Sequence, residues 1–158
     1  MSDAAAAPSQ PLRVLIVEDD DTFAAGLAAL LAEFPMLVVV GRAADGVEGI
    51  ELVDALRPDV ALMDITMPRA DGITATRAIS RFHPDTAVVV LSSLHDAETA
   101  VHARAAGAGA YLFKGCSTDA VVAAVLEVAA PAAAPTELSR ARSRPLPPRP
   151  LRAAARGA

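Results

Sequence analysis

The chain is poor in cysteine and has no long apolar run, and both absences restrict its chemistry. Cys116 is the single cysteine among 158 residues, so an intramolecular disulfide and a CxxC metal or redox motif are excluded. No apolar run approaches the length of a transmembrane helix. The first ten residues, MSDAAAAPSQ, lack the basic segment and the apolar stretch of a signal peptide. We therefore expect a soluble, cytoplasmic protein that does not contact a membrane.

Charge divides the chain into two unequal parts. Residues 1–130 hold 18 acidic and 8 basic side chains, whereas residues 131–158 hold six arginines, one acidic residue and six of the twelve prolines. The acidic part is not a nucleic-acid surface, and the basic part has no segment long enough to pack as a helix. We predict one folded domain over residues 12–130, flanked by a disordered tail over residues 1–11 and a disordered Pro/Ala/Arg-rich tail over residues 131–158.

Apolar runs and segments of helical periodicity alternate along the folded part. The runs that predict strands are 12–17, 37–43, 59–63, 86–92 and 110–113. The segments that predict helices are 22–34, 47–57, 73–82, 97–106 and 118–130. Such alternation is typical of a parallel sheet with helices on both faces. We predict a flavodoxin-like, doubly wound (βα)5 α/β fold with strand order 2-1-3-4-5, whose ligand site lies at the carboxyl edge of the sheet.

Polar side chains stand where the predicted strands end. Those that follow strands 1, 3, 4 and 5 are Glu18, Asp19, Asp64, Ser92 and Lys114. The fold brings these ends together, and three neighbouring carboxylates repel each other unless a cation such as Mg²⁺ compensates their charge. An ammonium and a hydroxyl beside them would stabilise a phosphoryl group that is transferred to an aspartate. The pattern therefore predicts a Mg²⁺ site that supports phosphoryl transfer.

Four stretches carry a family resemblance. In order and spacing, LIVEDD, LMDITMPRADG, VVVLSS and GAYLFK resemble the receiver domain of two-component response regulators, from about Leu12 to Ala130. The resemblance is greatest to the subfamily in which a helix-turn-helix output domain follows the receiver. It implies that Asp64 accepts the phosphoryl group. It also implies that Asp19, Asp64 and the Thr66 backbone carbonyl ligate Mg²⁺ directly, and that Glu18 acts through water.

The resemblance also implies a switch and its partners. Ser92 would be the switch hydroxyl, Lys114 the residue that binds the phosphoryl group, and Tyr111 an aromatic side chain that swings inward on activation. A sensor histidine kinase or a phosphotransfer protein would supply the phosphoryl group. The change would be read on the face formed by helix 4, strand 5 and helix 5, where apolar residues would contribute to a partner or homodimer surface. Examples of such residues on helices 4 and 5 are Val101, Val121 and Val125.

The sequence departs from the family pattern at three points. Gly115 replaces the proline that follows the lysine in many receivers, which predicts a more mobile loop. Thr66 and Leu94 occupy the positions that tune loss of the phosphoryl group, and neither positions water well, so we predict slow autodephosphorylation. Residues 131–158 are too few and too rich in proline to form a helix-turn-helix domain, so we expect no direct DNA binding.

Other functions stay open at this point. The chain is a phosphoacceptor that regulates a partner or downstream transcription, a receiver fragment of a truncated DNA-binding regulator, or a pseudo-receiver that acts only as an interaction module. A Mg²⁺-dependent phosphatase with an aspartyl-phosphate intermediate is the enzymatic alternative. The acids after strand 1 are spaced differently from those of that class, since Glu18 stands where its nucleophile would be. We therefore expect a phosphoacceptor that catalyses only its own phosphorylation and dephosphorylation, and not a turnover enzyme.

Overall fold

The predicted α/β alternation is confirmed. The computed structural model describes residues 10–67, 72–93 and 96–130. Its strands are β1 (Leu12–Val17), β2 (Leu37–Ala43), β3 (Val60–Asp64), β4 (Ala87–Ser92) and β5 (Ala110–Phe113). Its helices are α1 (Asp21–Leu31), α2 (Gly46–Leu56), α3 (Gly72–Phe82), α4 (Ala97–Ala105) and α5 (Thr118–Ala129). Each strand is followed by a helix, as a doubly wound fold requires.

The strands form one parallel sheet in the order β2-β1-β3-β4-β5, as predicted. All five residues of the central strand β3 are buried, which explains why its sequence is apolar up to its last residue. The sheet changes direction of winding between β1 and β3. The carboxyl ends of these two strands therefore flank the crevice in which such folds place a ligand.

Two apolar clusters cover the two faces of the sheet. One face packs against α1 and α5 through residues such as Leu27, Leu31 and Val125. The other packs against α2, α3 and α4 through residues such as Val53 and Ile79. Because both faces are covered, the sheet is rigid, and the side chains that emerge at its carboxyl edge are held at fixed separations.

Several element boundaries differ from the predictions, and two of these differences have a clear cause or consequence. Helix α1 ends at Leu31 rather than at residue 34, because the residue before Pro35 disfavours helical backbone. The chain instead turns there, with the Phe34 N–H donating to the Leu31 carbonyl at 3.1 Å. Strand β3 includes Asp64, which pairs with Leu91 of β4. Asp64 is thus the last paired residue of β3, so strand pairing, and not the loop that follows, fixes the backbone that carries its carboxylate.

The outer strand β2 carries an extra residue. Val39 pairs with Val14 and Gly41 pairs with Leu15, so that Val40 is left without a direct partner on β1. This irregularity is a β-bulge, which bends and twists the strand that contains it. It lies in the middle of an edge strand that pairs with β1 alone among the described strands.

The predicted partner surface is wrong for two of its three residues. Val121 and Val125 are 5% and 0% exposed and belong to the core beneath α5. Val101 of α4 is 63% exposed. Helix α5 is apolar along most of its length, so its sequence does not reveal which side faces the sheet.

The predicted tails fall largely outside the described residues. Residues 1–9 and 131–158 are not described, and neither are Leu94 and the segment 68–71. The predictions made for these residues therefore stay predictions. Among the helices that the structure describes, none has both the length and the apolarity needed to span a bilayer.

Candidate functional site

Three carboxylates meet at the carboxyl edge of the sheet. Glu18 follows β1 directly and Asp64 ends β3, and each is only 2% exposed. Asp19 is exposed beside them. One oxygen from each of the three groups lies within 4.8 Å of the others. The predicted acidic cluster thus exists, with two members in the protein interior and one open to solvent.

Lys114 lies between the two buried acids. Its Nζ is 2.8 Å from Glu18 Oε2 and 3.3 Å from Asp64 Oδ2. The backbone N–H of Lys114 donates to the Ser92 carbonyl at 2.9 Å, so the end of β4 fixes where this side chain starts. The ammonium compensates part of the negative charge that burial of Glu18 and Asp64 would otherwise leave unopposed.

The second carboxylate oxygen of Asp64 is held by Thr66. Asp64 Oδ1 accepts from the Thr66 N–H and from the Thr66 hydroxyl, each at 2.9 Å. With Lys114 on the other oxygen, both oxygens of this carboxylate have donors. These two hydrogen bonds were not predicted for Thr66, although a hydroxyl residue two positions after an aspartate is a recognisable local hydrogen-bonding pattern.

Gly72 permits a close approach behind Asp64. A Cβ atom at this position would lie 2.1 Å from the Asp64 carbonyl oxygen and 2.6 Å from Ile65 Cα. Both neighbours are backbone atoms, which cannot rotate away as a side chain does. The first residue of α3 therefore has to be glycine if the end of β3 is to keep its position.

Burial and charge set the protonation of the three central groups. Burial raises the pKa of Glu18 from its ordinary 4.5 to about 7, and the neighbouring Asp64 charge adds to this against the hydrogen bond with Lys114. Burial also opposes the charged form of Asp64, but the two Thr66 hydrogen bonds and the Lys114 charge outweigh it and lower the pKa of Asp64. Burial likewise opposes the charged form of Lys114, but hydrogen bonding to Glu18 and both carboxylate charges raise its pKa. Asp64 is thus an anion and Lys114 a cation at neutral pH.

The raised pKa of Glu18 predicts that the stability of the fold depends on pH. In the presence of a chelator, the free energy of unfolding should fall by about 1–3 kcal/mol between about pH 5 and about pH 8. The folded chain binds the Glu18 proton more tightly than the unfolded chain, so this contribution is complete below pH 4.5 and is lost as the pH rises through about 7. Urea unfolding at the two pH values measures the difference. Glu18→Gln should flatten it, and an unchanged slope in that variant would assign the effect to another group.

The remaining predicted residues lie around this cluster. Ser92 is fully buried at the end of β4. Tyr111 is half-buried and packs against the apolar cluster formed with α2, α3 and α4. Asp20 lies outside the predicted set, and its Oδ1 caps α1 by accepting from the Thr22 and Phe23 N–H groups. An aspartate directly before a helical segment is the signal that indicates this cap.

The donor set fits a hard divalent cation. The three carboxylates offer oxygen atoms close together, and the exposure of Asp19 gives access from solvent. Mg²⁺ prefers oxygen ligands and retains some of its water, so a site with one open side suits it. The residues that would hold the ion are Glu18, Asp19 and Asp64, and the Thr66 carbonyl remains a predicted ligand.

Comparison with known proteins agrees with this geometry. The family described as the response regulator receiver domain matches residues 14–126. The transcriptional regulatory protein DegU of Brevibacillus brevis is 41% identical over 119 residues, which are 75% of this chain and 50% of DegU. The chain thus spans about half the length of this curated relative.

Two solved structures extend the comparison to the fold. The signal receiver domain of NarL from Mycobacterium tuberculosis is 32% identical with a TM-score of 0.73, and the match covers 76% of this chain and 97% of that one. A chain of the CheX–CheY–BeF3–Mg²⁺ complex from Borrelia burgdorferi is 27% identical with a TM-score of 0.70, over 75% of this chain and 90% of that one. The family model matches most of the chain, and the fold and the acidic cluster of the chain agree with that family. The chain belongs to the receiver domains of two-component response regulators.

Proposed function

We propose that Asp64 accepts a phosphoryl group from a phosphohistidine of a sensor histidine kinase or a phosphotransfer protein, in a reaction that needs Mg²⁺. One observation carries this proposal: Lys114 Nζ lies between Glu18 and Asp64 at the edge of the sheet where Asp19 opens the cluster to solvent. The run of elements from Leu12 to Ala129 supports residues 12–130 as the receiver unit. In this proposal residues 1–11 and 131–158 are its tails.

The reaction exchanges one phosphorus bond for another. A carboxylate oxygen of Asp64 attacks the phosphorus atom, the bond between phosphorus and the donor nitrogen breaks, and its electron pair stays on the imidazole. Asp64 is suited to this role because its lowered pKa keeps it unprotonated. The pair of Thr66 hydrogen bonds holds its carboxyl group in one orientation while the donor approaches.

Charge compensation supplies most of the rate acceleration in such transfers. The Lys114 ammonium is 3.3 Å from Asp64 and is positioned to bind an oxygen of the arriving phosphoryl group. Mg²⁺, when bound by the acidic cluster, supplies further charge neutralisation for the phosphoryl oxygens. The carboxyl groups of buried Glu18 and exposed Asp19 complete the set of oxygen ligands that would hold the ion.

In this proposal, phosphorylation changes the surface that the chain presents to a partner. In this proposal the Ser92 hydroxyl turns toward the phosphoryl group and Tyr111 moves further into the interior, so that the face formed by α4, β5 and α5 is altered. Exposed Val101 lies on this face and is available to a protein partner or to a second copy of the chain. The downstream step is regulation of that partner or of transcription.

The test is native mass spectrometry of the chain with a small phosphoryl donor, with Mg²⁺ and with a chelator. We expect one phosphoryl adduct that forms only with Mg²⁺ and that persists for minutes or longer, since Thr66 has no basic group to position water. Formation of a dimer together with the adduct would place the response in self-association. The pseudo-receiver alternative predicts no adduct under either condition, and the phosphatase alternative predicts catalytic turnover of phosphate esters.

A further inference from the structure

The Lys114 ammonium has a third contact besides its two acids. Its Nζ lies 4.6 Å from the centroid of the Phe23 ring, over the ring face. An ammonium at this distance is attracted by the negative face of the aromatic ring. Lys114 is therefore held from three sides, by Glu18, by Asp64 and by an uncharged ring.

The ring differs from the acids because its attraction does not depend on the charge of the site. Phosphorylation converts Asp64 from a carboxylate into an acyl phosphate, and a cation in the acidic cluster offsets the negative charge of Glu18 and Asp64. Both ionic contacts of Lys114 therefore change during the proposed reaction. The quadrupole of the Phe23 ring stays the same throughout, so it can hold the ammonium in place while its ionic partners are exchanged.

Phe23 is itself held in place by the segment that carries the acidic pair. Its backbone N–H donates to Asp20 Oδ1 at 3.0 Å, and the Asp20 N–H donates to Glu18 Oε1 at 3.1 Å. The half-buried ring packs against the apolar cluster beneath α1 and α5. The ring and Glu18 are thus positioned by the same short stretch of chain, whereas Lys114 reaches them from the far side of the site on a long, flexible side chain.

We propose that Phe23 is a positioning residue of the phosphoryl-transfer site, which holds the Lys114 ammonium toward the position of the incoming phosphoryl group. The inference rests on the proposed phosphoacceptor function. Phe23, an apolar side chain of α1 outside the acidic cluster, thereby takes part in the chemistry. It also links that chemistry to the groove of about 300 Å³ between α1 and α5, because Phe23 and Lys114 both line this groove.

Two substitutions distinguish the effect of the aromatic ring face from the effect of side-chain volume. Phe23→Leu keeps an apolar side chain but removes the ring face, whereas Phe23→Tyr keeps the face. With a small phosphoryl donor and Mg²⁺, we expect Phe23→Leu to slow adduct formation by about 3- to 10-fold and Phe23→Tyr to remain near the wild-type rate. In a Lys114→Met background, Phe23→Leu should cause no further loss, because the residue through which it acts is gone.

The matched control is Leu30→Ala. Leu30 lines the same groove and is 44% exposed, but among the contacts described for Lys114, its ion pairs and its ring contact, none involves Leu30. Since a small donor needs no docking surface, this variant should be phosphorylated at the wild-type rate. Equal slowing in Leu30→Ala and Phe23→Leu would assign the effect to groove packing and overturn the inference, and so would a wild-type rate in Phe23→Leu.

A second measurement does not depend on phosphorylation. The ring current of Phe23 should shift the NMR signals of the Lys114 ε-methylene protons upfield in the wild type and in Phe23→Tyr, and this shift should disappear in Phe23→Leu. Absence of the shift in the wild type would overturn the inference directly. A wild type that shows the shift but takes up no phosphoryl group would instead overturn the proposed function, so the two failures are distinguishable.

Discussion

Asp64→Asn should abolish the phosphoryl adduct while leaving the chain folded. An amide is not a nucleophile toward phosphorus, and the substitution also removes one of the three carboxyl groups of the acidic cluster. The amide oxygen can still accept the two Thr66 hydrogen bonds that the carboxylate accepts at Oδ1. The contact between Lys114 and Oδ2 is lost, because an amide NH2 group cannot accept, but the ammonium keeps its contact with Glu18. We therefore expect no detectable adduct with a small phosphoryl donor and Mg²⁺, and a cooperative unfolding transition close to that of the wild type.

The control for this substitution is Asp85→Asn. Asp85 is an exposed aspartate just before β4, at the opposite edge of the sheet from Asp64. The two variants change the same functional group, so only position distinguishes them. Asp85→Asn should form the adduct as the wild type does. An adduct that survives in Asp64→Asn at the wild-type level would place the acceptor on another residue and remove the basis of the proposed function.

Gly72→Ala should destabilise the fold and displace the acceptor at the same time. The added methyl group would meet the Asp64 carbonyl oxygen at 2.1 Å and Ile65 Cα at 2.6 Å. Because both are backbone atoms, either α3 or the end of β3 has to move. Overpacking of this kind costs about 1–3 kcal/mol and sometimes more. We expect a loss in the upper part of that range, measured by urea unfolding, together with slower phosphorylation of the fraction that folds.

Gly26→Ala provides the matched comparison. Gly26 lies within α1, and a Cβ atom at this position has no neighbour within 4 Å. Alanine favours helix over glycine by about 1 kcal/mol, so this substitution should stabilise the chain and leave its reaction with a small donor unchanged. The same chemical change thus has opposite expected signs at two helical glycines. Similar stabilities for both variants would mean that α3 moves away from Asp64 at little cost.

The features that were predictable from the sequence are those set by periodicity. Strand β3 is apolar because it is central, and its last residue is charged because the site lies there. The order of the strands then placed Glu18 and Asp64 at one edge, as the structure has them. Right-handed crossovers and the alternation of strands and helices leave few other arrangements of these residues.

Contacts between side chains were not predictable in the same way. The position of Lys114 between Glu18 and Asp64, and above Phe23, depends on rotamers and on separations of a few ångströms. Periodicity also fails for α5, because apolar residues occur around most of the helix. The sequence predicts Val121 on a partner surface, although it is buried. The end of α1 shifted because a local turn near Pro35 replaced its last helical residues.

The bulge at Val40 also bears on the behaviour of the chain at high concentration. The sequence of β2, LVVVGRA, combines strong β propensity with little charge, and Val38 is 40% exposed. A flat edge strand of this composition is a template onto which other chains add strands and aggregate. The extra residue interrupts the regular spacing of backbone donors and acceptors that such a template needs. The bulge therefore disfavours edge-to-edge aggregation of the native fold, and no residue of the proposed phosphoryl-transfer site is involved.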